Sequence, residues 1–157
     1  METLLIALGN PGRGDDGLGP ALAERVRALD LPDVRIVVDY QLGIEHAADV
    51  ASADIVYFLD ATVDPEASPY RIERVRAQPG PQFSSHAATP SQVVFLANEL
   101  YGACPWAWTV EIPGACFDPF VEEFSDQARK HLEAATRGFT RVLQGEISLS
   151  SPSFRVV

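Results

Sequence analysis

The sequence has little positive charge and a single lysine. Its 157 residues include 12 Lys and Arg against 22 Asp and Glu, which gives a formal net charge of −10, and the one lysine is Lys130. A surface of this charge repels a phosphate backbone, so we expect no nucleic acid among the partners. A chain of this length is expected to form one domain around a single core.

Long apolar runs and paired cysteines are also missing. No run approaches the ~20 residues of a membrane span, and a strand-like segment starts at Thr3 without a basic region before it. We therefore expect a cytoplasmic protein with no secretory leader and no membrane partner. Cys104 and Cys116 form no CxxC motif and are expected to be free structural thiols. Metal binding is the weaker alternative, since no His or further Cys lies at ligand spacing.

Short apolar segments alternate with helical periodicities, which predicts an α/β fold. We expect a three-layer sandwich, in which a mostly parallel five-stranded sheet has helices on both faces. Residues 1–145 are predicted to form a single α/β domain, and residues 146–157 a polar C-terminal tail. The predicted strands are Thr3–Leu8, Val34–Val38, Ile55–Leu59, Tyr70–Val75 (at an edge) and Ala107–Ile112, and the predicted helices are Leu18–Leu29, Leu42–Val50, Pro90–Tyr101 and Pro119–Leu143.

Four polar residues fall at one predicted edge of this sheet. Asp16 follows the first strand, Asp39 and Asp60 end the second and third strands, and His86 lies in the loop after the fourth. Ligands of such sheets bind outside the carboxyl ends of the strands. Two carboxylates and one histidine at this edge would form an open N/O site that suits a first-row divalent metal.

Each of these residues also has a structural interpretation. Asp15 or Asp16 could cap the helix that begins at Gly17 or Leu18, and Asp60 could accept backbone N–H groups in its own turn. The glycine-rich loop lacks the GxxxxGK[ST] phosphate motif, and two carboxylates beside it would oppose a phosphate. The other two histidines, His46 and His131, are predicted to lie on the surface.

Four motifs, taken in order, carry a resemblance to a known family. They are "GNPGRGDDGLG", "DYQLGIE", "FLDAT" and "SSHAATPSQV". The chain resembles the hydrogenase maturation endopeptidases, which remove the C-terminal extension of the [NiFe]-hydrogenase large subunit. The resemblance covers nearly the whole chain. The "YQL" after Asp39 is similar to members that serve soluble, cofactor-linked hydrogenases.

The resemblance implies roles for particular residues. Asp16, Asp60 and His86 would contact the nickel already inserted in the precursor, and Asp39 stands where the family has another functional acidic residue. Nickel would then arrive with the substrate, and we expect no tightly bound cofactor. The expected partner is the large-subunit precursor, cut by a monomer. The residues after His86 depart from the family, many of whose members have Gln or Asp there.

Other interpretations remain open. A non-enzymatic metal-binding or metallochaperone module of the same fold would need the site but no peptide groove. Peptidyl-tRNA hydrolase shares "LGNPG", but its "TRHN" stretch is missing and the net charge of −10 is unsuited to tRNA. A flavodoxin-like nucleotide domain would need a phosphate loop rich in Ser and Thr.

The sequence favours one nucleophile for peptide cleavage and leaves two roles for the metal. No Ser–His–Asp or Cys–His nucleophile is recognisable, which favours attack by water on a peptide carbonyl. The metal could polarise that carbonyl or activate the water. Alternatively, it could serve only to recognise the precursor while a carboxylate acts as general base.

Overall fold

The computed structural model describes residues 1–80 and 87–149, and the backbone of residues 153–155. His86 lies outside these residues. The strands are β1 (Thr3–Leu8), β2 (Val34–Asp39), β3 (Ile55–Thr62), β4 (Arg71–Val75), β5 (Trp106–Pro113) and β6 (Ser153–Arg155). The helices are α1 (Leu18–Arg27), α2 (Ala47–Ala51), α3 (Pro90–Tyr101) and α4 (Asp126–Leu143).

The strands form one mostly parallel sheet in the order β2-β1-β3-β5-β4-β6. β2, β1, β3 and β5 are parallel to one another, whereas β4 pairs with β5 in the antiparallel direction. The predicted α/β class is confirmed. The sheet contains the five predicted strands and also β6, which pairs with β4 and lies in the predicted polar tail. The prediction that β4 forms an edge was therefore wrong.

Helices cover both faces of the sheet, because the central strands are apolar on both sides. α1 and α4 pack on one face with Leu5, Tyr57 and Val110. α2 and α3 pack on the other with Leu4 and Phe58. Successive side chains of a strand point to opposite faces, so β1, β3 and β5 each contribute to both cores. No helix of the described residues is long and apolar enough to cross a membrane.

Helix α3 begins as predicted, whereas α4 begins later. The Thr89 hydroxyl accepts the N–H of Gln92, and Pro90 occupies the first turn. The predicted start of α4 at Pro119 was wrong, because Ser125 caps the helix by accepting the N–H of Ala128. Phe120, which the predicted helix Pro119–Leu143 includes, precedes α4 and is 97% exposed.

The prediction that His46 and His131 lie on the surface was wrong. Both are buried, and each ring finds polar partners that make burial tolerable. His131 Nδ1 lies 2.7 Å from the Pro113 carbonyl oxygen, and its Nε2 lies 3.0 Å from the Ser68 hydroxyl. His131 thereby ties α4 to the end of β5.

Candidate active site

A cleft of about 330 Å³ opens at the carboxyl edge of the parallel strands. This is the edge at which α/β sheets bind ligands. Asp16, Asp60 and Glu111 place carboxylates along it. Its remaining described lining is mostly apolar or neutral: Leu8, Gly9, Tyr40, Gln41, Leu42, Phe58, Ala87, Ala88, Pro90 and Thr109.

Asp16 is positioned by the turn between β1 and α1. It lies in a single 3-10 turn, Gly14–Gly17, and its Oδ2 accepts the N–H of Asn10 at 2.7 Å. Gly9 makes this approach possible: its φ is +136°, and a Cβ there would lie 1.9 Å from the carbonyl oxygen of Asp16. Only glycine fits such a position.

Asp60 lies near the end of β3, and its environment disfavours the ionised carboxylate. Burial raises the pKa of Asp60 to about 7, against a hydrogen bond from the Ala61 N–H that lowers it. The charges of Asp16 and Glu111 add to the increase. A divalent cation between Asp16 and Asp60 would remove this repulsion, so the donor set fits a metal.

Asp39 lies beside the cleft but does not line its described part. It ends β2, is exposed, and its Oδ2 lies 3.3 Å from Nε2 of the buried His46. Nδ1 of His46 accepts the N–H of Gly43 at 2.9 Å. The ligand atoms of Asp39, Glu45 and His46 all lie within 4.8 Å of one another. Both imidazole nitrogens already have protein partners, however, so we interpret His46 as the residue that holds Asp39.

His86 lies just before a described segment of the chain, outside the described residues. The next two residues, Ala87 and Ala88, line the cleft. The N–H of Ala88 donates to the carbonyl oxygen of Leu42 at 2.9 Å, which fixes the chain beside the Asp39–Leu42 loop. The role of His86 therefore stays a prediction.

Asp15 has a different role from its neighbour. Helix α1 has no side-chain cap, so the interpretation of Asp15 as its cap was wrong. Asp15 is fully buried and accepts hydrogen bonds from Ala115, Cys116 and Ser125. It thus fastens the β1–α1 loop to the β5–α4 loop. Burial alone would raise the pKa of Asp15, but these hydrogen bonds outweigh it and lower the value below 3.8.

Glu111 is the cleft residue that the sequence analysis did not identify. It lies in β5, directly beside Asp60 of β3 in the strand register. The strand-end rule that pointed to Asp60 could also have found it, since Glu111 is the acidic residue near the end of β5. Cys104 and Cys116 are free thiols, as predicted.

Comparison with solved structures shows which known proteins share this fold. No family model and no curated protein matches the chain. A [NiFe] hydrogenase maturation protease HycI from Thermococcus kodakarensis KOD1 matches with a TM-score of 0.70 and 22% identity, covering 91% of this chain and 92% of that one. The hydrogenase maturating endopeptidase HybD from E. coli matches with a TM-score of 0.68 and 21% identity, covering 93% and 94%. A hydrogenase 2 maturation peptidase from Thaumarchaeota archaeon SCGC_AB-539-E09 matches with a TM-score of 0.66 and 19% identity, covering 91% and 98%. At identities this low the likeness establishes the fold, and that fold is the one that hydrogenase maturation proteases have.

Proposed function

We propose that this chain is an endopeptidase that removes the C-terminal extension of a [NiFe]-hydrogenase large-subunit precursor after nickel insertion. The observation that carries the proposal is the convergence of Asp16 and Asp60 in one cleft, on the fold of such proteases. Asp16 comes from the 3-10 turn after β1 and Asp60 from the end of β3, and the motifs that contain them are two of those on which the family resemblance rests.

Nickel is proposed to enter the cleft as part of the substrate. Asp16 and Asp60 would contact it through carboxylate oxygens, and His86 through an imidazole nitrogen. Such N/O ligands suit a first-row divalent ion. Because the pKa of Asp60 is about 7 without a cation, an arriving nickel would favour its ionised form. The contact between nickel and these side chains would thus let the chain recognise only a precursor that already holds its metal.

Water is the proposed nucleophile. Among the described residues that line the cleft there is no serine or cysteine, whereas three carboxylates are present. The exposed Tyr40 and Gln41 lie at its rim, where a peptide segment could pass. We further propose a monomer that acts in the cytoplasm.

The decisive experiment uses nickel-loaded and nickel-free precursor with the purified chain, and reads cleavage from the mass of the C-terminal fragment. We expect cleavage of the loaded precursor alone. Asp16→Asn and Asp60→Asn should abolish it, whereas Asp30→Asn, at an exposed aspartate after α1, should not. Metal-dependent binding of precursor without cleavage by the wild-type chain would instead support a non-enzymatic metal-binding module.

A further inference from the structure

One carboxylate oxygen of Glu111 is bound by an arginine of a neighbouring strand, and the other oxygen has no hydrogen-bond partner among the described residues. Arg71 of β4 is its partner in the antiparallel register. Both Nε and Nη2 of Arg71 donate to the same oxygen, Oε2, with Nε at 3.1 Å. Within the described part of the chain, Oε1 accepts no hydrogen bond. Glu111 is therefore fixed through one oxygen, while the other is available to a ligand.

Arg71 does not depend on Glu111 alone to pair its charge. The Arg71 side chain is only 13% exposed and also contacts Asp64 at 2.9 Å and Glu73 at 3.4 Å, so its charge is paired without Glu111. Glu111 is 26% exposed and lines the cleft. A guanidinium that orients a carboxylate toward a cleft preorganises it for chemistry there.

The other acidic residues near the cleft have a different proposed role or do not line the described cleft. Asp16 and Asp60 are the proposed nickel contacts, and each already accepts a backbone N–H. Asp39 does not line the described cleft and is paired with His46. Glu111 is next to Asp60 in the strand register, close to where a peptide bound at the metal would lie, and it is not needed as a ligand.

We propose that Glu111 is the general base of the peptidase, a role that rests on the proposed function. Oε1 takes a proton from a water molecule as the water oxygen bonds to the scissile carbonyl carbon. The resulting tetrahedral intermediate collapses, the C–N bond breaks, and Glu111 returns the proton to the departing nitrogen. The products are one carboxylic acid and one amine, the acid passes its proton to the amine to give a carboxylate and an ammonium group, and Glu111 ends in its starting form. Arg71 acts as a positioning residue.

The test measures kcat and KM separately on nickel-loaded precursor. Glu111→Gln keeps the length of the side chain and its acceptor for Arg71 but cannot take the proton. We expect kcat to fall by roughly 10²–10⁴-fold, the usual contribution of a general base, with KM changed by less than about threefold. Added formate should restore part of the rate to Glu111→Ala. Glu73→Gln is the matched control: it also removes a carboxylate from Arg71, and we expect wild-type kcat.

Thermal melts verify that both Glu111 variants fold, which we expect because Arg71 keeps Asp64 and Glu73. The role is overturned if folded Glu111→Gln retains kcat within a few-fold of wild type, or if formate does not accelerate Glu111→Ala. Either result leaves the proposed function intact when the wild-type chain cleaves the loaded precursor. A wild-type chain that cleaves nothing overturns the proposed function and this role together.

Discussion

Replacing Asp15 by alanine is expected to lower the free energy of unfolding by about 3–5 kcal/mol. The side chain is fully buried. Its Oδ2 accepts the N–H groups of Ala115 at 2.7 Å and Cys116 at 3.0 Å and the Ser125 hydroxyl at 2.6 Å. Its Oδ1 accepts the Ser125 N–H at 2.8 Å. The substitution removes all four bonds at once.

The magnitude follows from the donors that lose their partner. Three backbone N–H groups remain, and each costs about 1–3 kcal/mol when buried without an acceptor. The sum is an overestimate, because the bonds are not independent and the β5–α4 loop can admit water. We therefore take the lower part of the range. Since domains are stable by only about 5–15 kcal/mol, Asp15→Ala should be close to the limit of folding.

Urea unfolding followed by circular dichroism measures this difference. Asp118→Ala is the matched control, because Asp118 is exposed in the same loop, and its effect should stay within about 0.5 kcal/mol. The loss of stability in Asp15→Asn should lie between those of the other two variants. The amide oxygen can keep the hydrogen bonds that Oδ2 accepts, but the amide nitrogen cannot accept the Ser125 N–H. An Asp15→Ala variant as stable as Asp118→Ala would refute the bracing role.

Three further predictions concern stability. In metal-free protein, Asp60→Asn should stabilise the fold above pH 7 by up to about 4 kcal/mol and leave it unchanged near pH 4. The pKa of Asp60 in the folded protein is about 7 and exceeds the usual 3.8, so ionisation of Asp60 lowers the stability of the wild type as the pH rises from about 4 to 7. Equal melting temperatures of the wild type and Asp60→Asn at pH 8 would contradict this prediction. Phe120→Gly should raise the melting temperature. Phe120 has a φ of +63° and is 97% exposed, and a left-handed conformation costs a non-glycine residue about 1–2 kcal/mol. A lower melting temperature would show that the phenyl ring stabilises the fold. Gly19→Ala should destabilise the domain in urea, because its Cβ would lie 2.5 Å from the Leu59 carbonyl oxygen, and unchanged stability would mean that α1 can move away from β3 at no cost.

The central strands and α3 could be predicted because their signals are local. Continuous apolar runs mark β1 and β3, and Thr89-Pro90 marks the start of α3. β6 could not be predicted, since its three residues have a weak strand signal and pair only because β4 offers an edge. The buried histidines were missed for a related reason. The partners of His131 are Pro113 and Ser68, which are brought to it only by the folded chain.

Part of the site was equally accessible from the sequence. The rule that ligands bind at strand ends placed Asp16 and Asp60 at one edge, and both line the cleft. Glu111 was missed because it precedes the last residue of the predicted strand Ala107–Ile112, whereas the strand-end rule selects residues at or after that end. Its partner Arg71 depends on the antiparallel register of β4 and β5, which no local pattern specifies.

The adjacent residues Asp15 and Asp16 carry like charges, and the fold places their carboxylates in two different environments. In the 3-10 turn Gly14–Gly17, neighbouring side chains point in different directions, so one carboxylate enters the protein and the other faces the cleft. The ionised form of the buried one is stabilised by four hydrogen-bond donors of the β5–α4 loop. The other accepts only the Asn10 N–H among the described residues and keeps its remaining capacity for a ligand. Because Asp15 holds the turn from which Asp16 projects, loss of Asp15 should also impair the site, through position and not through charge.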